Sequence, residues 1–206
     1  MENVEGLLLA GGKSSRMGGL HKGSLRLETE TFAEHLVQEL KKEAGQVWIS
    51  YGETLHETYA GCKVVRDRYP DCGPIGGLQA GFSAAGQDLV LVAACDLPLL
   101  TIELYRELLR CMEAEEARRK EQLDGAVPVL DGRIHPLAAV YRKSAAAVME
   151  EQLQQKEYRV RKALEKLKIL YVDLSGKTAL AGMLQNINTP EEYRAMRRGG
   201  DGTCRN

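Results

Sequence analysis

Apolar and polar positions follow two rhythms along this chain. Short runs that are apolar nearly throughout and rich in β-branched residues predict strands at 4–9, 47–51, 63–66, 89–94, 126–130, 137–141 and 169–174. Between them the spacing becomes helical. In 31–44 the residues Phe32, Leu36, Val37, Leu40 and Ala44 form one stripe on a helix surface, and 102–119, 144–154 and 159–167 read the same way, less cleanly. Gly73-Pro74 marks a turn that starts a further helix. Near-continuous apolar strands alternating with helices predict an α/β protein of three layers, α/β/α, whose central sheet is mostly parallel and covered on both faces. In such sheets ligands sit beyond the carboxyl ends of the strands, so the loops that follow strands are where chemistry is expected.

Composition narrows the function classes. The 206 residues fit one domain or two small ones, and since neither an internal repeat nor a Pro- or Ser-rich linker divides them, a single domain is expected. With 28 Lys and Arg against 29 Asp and Glu, the net charge of −1 gives no global reason to expect nucleic acid or an acidic membrane surface as a partner. The longest apolar stretch, 89–100, is interrupted by Asp96 and falls well short of the ~20 residues of a spanning helix. Acidic residues at Glu2 and Glu5 are unlike the basic start of a signal peptide, so no membrane association and a cytoplasmic location are expected. The 5 cysteines are odd in number and form no C-x-x-C pair, which suggests neither a disulfide framework nor a zinc site. The charge run 113–121 pairs Glu115 with Arg119 and Glu116 with Lys120 in the favourable order, as a solvated helix face does. The tail 197–206 reads as frayed.

Local charge is another matter. Directly after Leu7-Leu8-Leu9 comes Ala10-Gly11-Gly12-Lys13-Ser14-Ser15-Arg16-Met17-Gly18-Gly19-Leu20-His21-Lys22. Its glycine pairs let backbone N–H groups approach a ligand closely, and Ser14, Arg16 and Lys22 supply side-chain donors, a combination suited to a triphosphate. The stretch 6–27 holds Lys13, Arg16, Lys22 and Arg26 and no acid. Lys22 does not follow a glycine, so this is no Walker A loop, and no G-x-G-x-x-G occurs. A second station is Asp96, at the tip of the apolar run 89–94. An acid there is costly unless it is exposed or bound to a cation, and magnesium would satisfy it. The alternative is that Asp96 caps the following helix, although Thr101 is the better cap candidate.

These stations resemble a known family. The segment L-A-G-G-K-S-S-R-M-G-G-L-H-K is similar to the signature loop of nucleotidyltransferases with a Rossmann-like fold, most closely that of the molybdenum cofactor guanylyltransferases. Cys95-Asp96-Leu97-Pro98 resembles the family's C-D-x-P station, and Asp67 with Gly73-Pro74-Ile75-Gly76 its D-x(n)-G-P-L-x-G loop. Arg133-Ile134-His135-Pro136-Leu137, Tyr158-Arg159-Val160-Arg161 and Asn186-Ile187-Asn188-Thr189-Pro190-Glu191-Glu192 resemble further segments, the last in part a helix capping box of Thr189 and Glu192. The likeness runs in order from residue 7 to about 194. It departs at Ser50, where the family usually has Asn at the end of the second strand.

The resemblance implies GMP transfer from GTP to the terminal phosphate of molybdopterin, with magnesium and release of pyrophosphate. It implies Arg16, Lys22 and Asp96 as catalytic residues, Asp96 as metal ligand, and Leu9, Ala10, Gly11, Gly12, Ser14, Lys22, Ser50, Asp67 and Asp96 around the nucleotide. Arg133, His135, Arg159, Asn186 and Asn188 would face the pterin. On this reading 1–100 is a nucleotide-binding half and 101–196 a pterin-binding half. Other molybdenum cofactor biosynthesis proteins and apo-molybdoenzymes are the protein partners it suggests. Two alternatives stand beside it. A molybdopterin cytidylyltransferase or a sugar-phosphate nucleotidyltransferase would more often carry alanine at the second glycine or G-x-G-x-R after it, so Gly12 with Ser14 favours guanylyl transfer. A non-catalytic nucleotide-binding or assembly module would have no use for Lys22 and Asp96.

Overall fold

The computed structural model describes residues 4–11, 22–27, 29–51, 59 and 61–200. The chain runs β1 (Val4–Leu9), β2 (Arg26–Leu27), β3 (Glu30–Thr31), α1 (Phe32–Lys41), β4 (Gln46–Ser50), β5 (Cys62–Val65), α2 (Pro74–Ala84), β6 (Leu89–Ala94), α3 (Ile102–Arg119), β7 (Gly125–Leu130), β8 (Arg133–Ile134), β9 (Ala139–Arg142), α4 (Ala145–Gln154), α5 (Val160–Leu164), β10 (Ile169–Asp173), α6 (Thr178–Gly182) and α7 (Pro190–Gly200). The sheet order is β10-β7-β9-β6-β1-β4-β5, with β8 paired to β7 and a separate β2-β3 hairpin. Strands β6, β1, β4 and β5 are parallel neighbours, as are β10 and β7. Only β9 interrupts the parallel run, lying antiparallel to β6 and β7.

The all-apolar strands sit at the centre because both of their faces are covered. In β1, Leu8 belongs to the core under α1 and α3 together with Leu36, Leu40, Leu104 and Leu108, while Leu7 and Leu9 belong to the core under α2 and α4 with Leu78, Phe82 and Met149. Strand β6 alternates likewise, Leu91 and Ala93 to one side and Val90, Val92 and Ala94 to the other. This is the three-layer α/β/α arrangement that the pattern predicts. Among the described residues no helix is long and apolar enough to cross a membrane.

Several boundaries differ from the sequence pattern, each for a physical reason. The apolar stretch at 137–141 enters the sheet only at Ala139, because His135 to Ala138 is spent on a turn closed by Ala138 N–H to His135 C=O (3.2 Å). Helix α5 stops at Leu164, where bonds from Lys166 N–H to Ala163 C=O (3.0 Å) and from Leu167 N–H to Leu164 C=O (3.2 Å) tighten the last turn. Helix α6 buries no side chain and so carries no apolar stripe. Helix α7 continues through Gly200, into the stretch read from the sequence as frayed.

Thr101 does occupy the N-cap of α3, but its hydroxyl does not cap: it lies 3.4 Å from Met183 Sδ. The orphan N–H of Ile102 instead donates to Glu39 Oε2 of α1 (2.9 Å), and Lys42 Nζ holds the other carboxylate oxygen at 2.5 Å. Burial opposes the charge on Glu39, yet Lys42 and the Ile102 amide keep its carboxyl below the usual range. A cap supplied by another helix has no local signature.

Candidate active site

The carboxyl ends of β1, β4 and β6 meet at one edge of the sheet. Past the end of β1, Ala10 N–H and Gly11 N–H both donate to Ser50 C=O (2.8 and 3.1 Å), and Cys95 N–H donates to Leu9 C=O (3.2 Å). The backbone that opens the glycine-rich loop is thereby held from both neighbouring strands. Ser50 Oγ donates to Asp67 Oδ1 (2.7 Å), which brings the end of β5 to the same place. Burial pushes the Asp67 carboxyl above its ordinary range, with the Ser50 hydrogen bond acting the other way.

Helix α2 closes over this corner. A Cβ at Gly77 would lie 2.7 Å from Ser50 Oγ and 2.9 Å from Leu9 Cδ2, and one at Gly76 would lie 3.0 Å from Tyr69 C=O and 3.5 Å from Asp67 Oδ2. The two glycines therefore serve the approach of α2 to the strand ends and to Asp67.

Asp96 follows β6. Its backbone carbonyl accepts from Ile187 N–H (2.8 Å) and its Oδ2 accepts from Asn186 Nδ2 (3.1 Å), while its Oδ1 is buried and has no hydrogen-bond partner among the described residues. Thr101 holds the N-cap position of α3 and Glu39 supplies the capping carboxylate, so Asp96 is not the helix cap. A buried carboxylate oxygen without a partner is costly in a metal-free protein, and an oxygen donor at a strand tip suits a divalent cation. Among the described residues no three His, Cys, Asp or Glu side chains form a metal-binding group.

The second half reaches the same edge. His135 is buried in the turn between β8 and β9, its N–H bonded to Pro128 C=O (3.0 Å), and Tyr141 Oη donates to Pro136 C=O (2.9 Å). Burial and the Arg133 charge pull the imidazole below its usual range, with the Asp96 charge acting the other way. The segment before α7 is clamped by the expected capping box, with Glu192 N–H to Thr189 Oγ1 (3.2 Å) and Thr189 N–H to Glu192 Oε2 (3.0 Å). Asn188 N–H also donates to Glu192 Oε2 (2.6 Å).

One anchor was not foreseen. Ile187 is fully buried against Leu25 and Phe32, with Tyr193 and Met196 packed on the cluster, and Tyr193 Oη donates to Arg26 C=O (2.9 Å). This latch fixes the Asn186–Asn188 segment against the chain that leaves the glycine-rich loop. Its signal was an apolar residue two places ahead of the capping Thr189 with an aromatic at the fourth helical position, one place off the spacing of a hydrophobic staple.

Of the residues singled out in the sequence, Leu9, Ala10, Gly11, Ser50 and Asp67 come together, and Asp96 meets Asn186. Lys22 opens a 3-10 turn, Lys22–Ser24, where a Cβ on Gly23 would contact Ala33 Cβ and Cys95 Sγ, each at 3.5 Å, so its backbone lies beside the tip of β6. Gly12, Ser14 and Arg16 lie outside the described residues, as does the side chain of Lys22. Arg133 is exposed on β8, and Arg159 is exposed at the N-cap of α5 with its guanidinium on Glu157 (2.8 and 2.6 Å). Nothing ties Arg159 to the Asp96 cluster among the described contacts.

An α/β/α sheet with a glycine-rich sequence after its first strand and a carboxylate at a central strand tip fits a nucleotidyltransferase of Rossmann-like fold. The family described as MobA-like NTP transferase domain matches residues 6–170. The chain belongs to that family. It is 33% identical over 199 residues to a probable molybdenum cofactor guanylyltransferase of Carboxydothermus hydrogenoformans, covering 95% of this chain and 96% of the relative. In structure it is similar to molybdopterin-guanine dinucleotide biosynthesis protein A of Archaeoglobus fulgidus, with a TM-score of 0.77, 22% identity, and coverage of 96% of this chain and 98% of that one. It also resembles 2-C-methyl-D-erythritol 4-phosphate cytidylyltransferase of Thermus thermophilus, with a TM-score of 0.69 at 15% identity over 98% of this chain and 100% of that one. The fold alone thus does not choose the base.

Proposed function

We propose that this nucleotidyltransferase transfers GMP from GTP to the terminal phosphate of molybdopterin, forming molybdopterin guanine dinucleotide and pyrophosphate, with magnesium as the metal. The observation that carries the chemistry is Asp96, fixed by Asn186 and left with one buried oxygen that has no partner among the described residues. The choice of substrates is supported by similarity to guanylyltransferases along 95% of the chain.

A phosphate-monoester nucleophile is already ionised near neutral pH, so attack on the α-phosphorus needs no general base. Catalysis reduces to alignment and neutralisation of charge. Asp96 would hold the magnesium, whose charge would stabilise the displacement when bound. The backbone of Leu9 to Gly12, with Ser14 and Asp67, would hold the nucleotide, and Arg16 and Lys22 would offset charge on the triphosphate and the departing pyrophosphate. Arg133, His135, Arg159 and Asn188 are the donors offered to the pterin, and Asn186, whose amide is given to Asp96, would join the two halves of the site. The reading takes the chain to act in the cytoplasm and to hand its product to apo-molybdoenzymes.

Pyrophosphate release with molybdopterin, magnesium and each of the four NTPs tests the base preference. A site that hydrogen-bonds a base edge leaves buried groups unpaired with the wrong base, so GTP should exceed CTP and ATP by roughly a thousandfold in kcat/KM. Equal turnover of CTP would sink the assignment.

A further inference from the structure

Ser50 ends β4 at 3% exposure, and its polar groups are engaged inside the protein. Its carbonyl accepts from Ala10 N–H (2.8 Å) and Gly11 N–H (3.1 Å), and its hydroxyl donates to Asp67 Oδ1 (2.7 Å). A serine hydroxyl has one proton to give, and here Asp67 takes it. Helix α2 backs onto the same atom, since a Cβ on Gly77 would come within 2.7 Å of Ser50 Oγ.

We infer that Ser50 is a positioning residue of the nucleotide site: it aligns the loop backbone through its carbonyl and the Asp67 carboxylate through its hydroxyl, without touching the nucleotide. The inference rests on the reading that residues 9–12 and Asp67 hold GTP. With Oδ1 occupied by Ser50, Asp67 presents Oδ2 to donors on the nucleotide. The hydrogen bond also lowers the freedom of a carboxylate that burial disfavours, so the group is set before the ligand arrives.

The test is a double-mutant cycle in the full chain, with kcat and KM for GTP measured for the parent, Ser50→Ala, Asp67→Asn and the double variant. Ser50→Ala should raise KM about tenfold, the scale of one hydrogen bond to a charged group, with kcat within about twofold. Asp67→Asn should raise KM further, and the double variant should match Asp67→Asn within about twofold, because Ser50 acts through Asp67. Ser50→Cys, of similar size with a weaker donor, should fall between parent and Ser50→Ala and guards against a folding defect in the alanine variant. Effects on KM that multiply in the double variant would show an independent contact with nucleotide and overturn the inference, as would an unchanged KM for Ser50→Ala. A parent that turns over no GTP would instead remove the functional reading beneath it.

Discussion

Asp96→Asn is expected to lower product formation about a thousandfold while the melting temperature stays within about 2 °C of the parent. The structure explains why the two should separate. Asparagine has nearly the same shape, and its carbonyl oxygen can accept the Asn186 amide in place of Asp96 Oδ2 (3.1 Å in the parent). What changes is Oδ1, which has no partner among the described residues and is replaced by an amide that cannot serve as an anionic metal ligand. Removal of a partly desolvated charge offsets the cost of burying that amide. The check is a pair of melting curves, with and without magnesium plus GTP, alongside product formation. The parent should gain stability from the ligands by linkage and the variant much less. A variant that melts several degrees lower without ligands, or that keeps the parental rate, would mark Asp96 as structural.

Lys22→Ala should reduce turnover at saturating GTP about a hundredfold, the scale of one group acting on transition-state charge. The 3-10 turn that carries Lys22 sits on Ala33 and on Cys95, the neighbour of Asp96. Its backbone is thus anchored next to the carboxylate, and a cation there would offset charge that develops on the leaving pyrophosphate. Truncation to alanine leaves the backbone of the turn unchanged, so the fold should be kept. Near-normal turnover of a folded Lys22→Ala protein would remove Lys22 from the catalytic set.

The sheet was legible where burial is complete on both faces. Strands β1 and β6 and helix α3 lie at 4–9, 89–94 and 102–119, as the apolar runs and charge pattern predict. Strand direction is not written in a hydrophobic period, so the antiparallel β9 was not foreseen. The two-residue strands β2, β3 and β8 are too short to show any period. In the site, glycine pairs after an apolar strand and an acid at a strand tip stand out because each breaks the local pattern. Partnerships do not stand out. Asn186 meets Asp96 across 90 positions, Ser50 meets Asp67 across 17, and Glu39 caps a helix that starts 63 residues later. Each pairing follows from the topology that gathers strand ends, which only the fold supplies.

The central claim is that GMP is joined to molybdopterin, and the most direct measurement is the mass of the product formed when the chain is given molybdopterin, magnesium and an equimolar mixture of the four NTPs. The account predicts one new species, molybdopterin plus a GMP unit, with one pyrophosphate released per adduct and no product when magnesium is withheld. A CMP or AMP adduct in comparable yield, or an adduct formed equally well without metal, would contradict it.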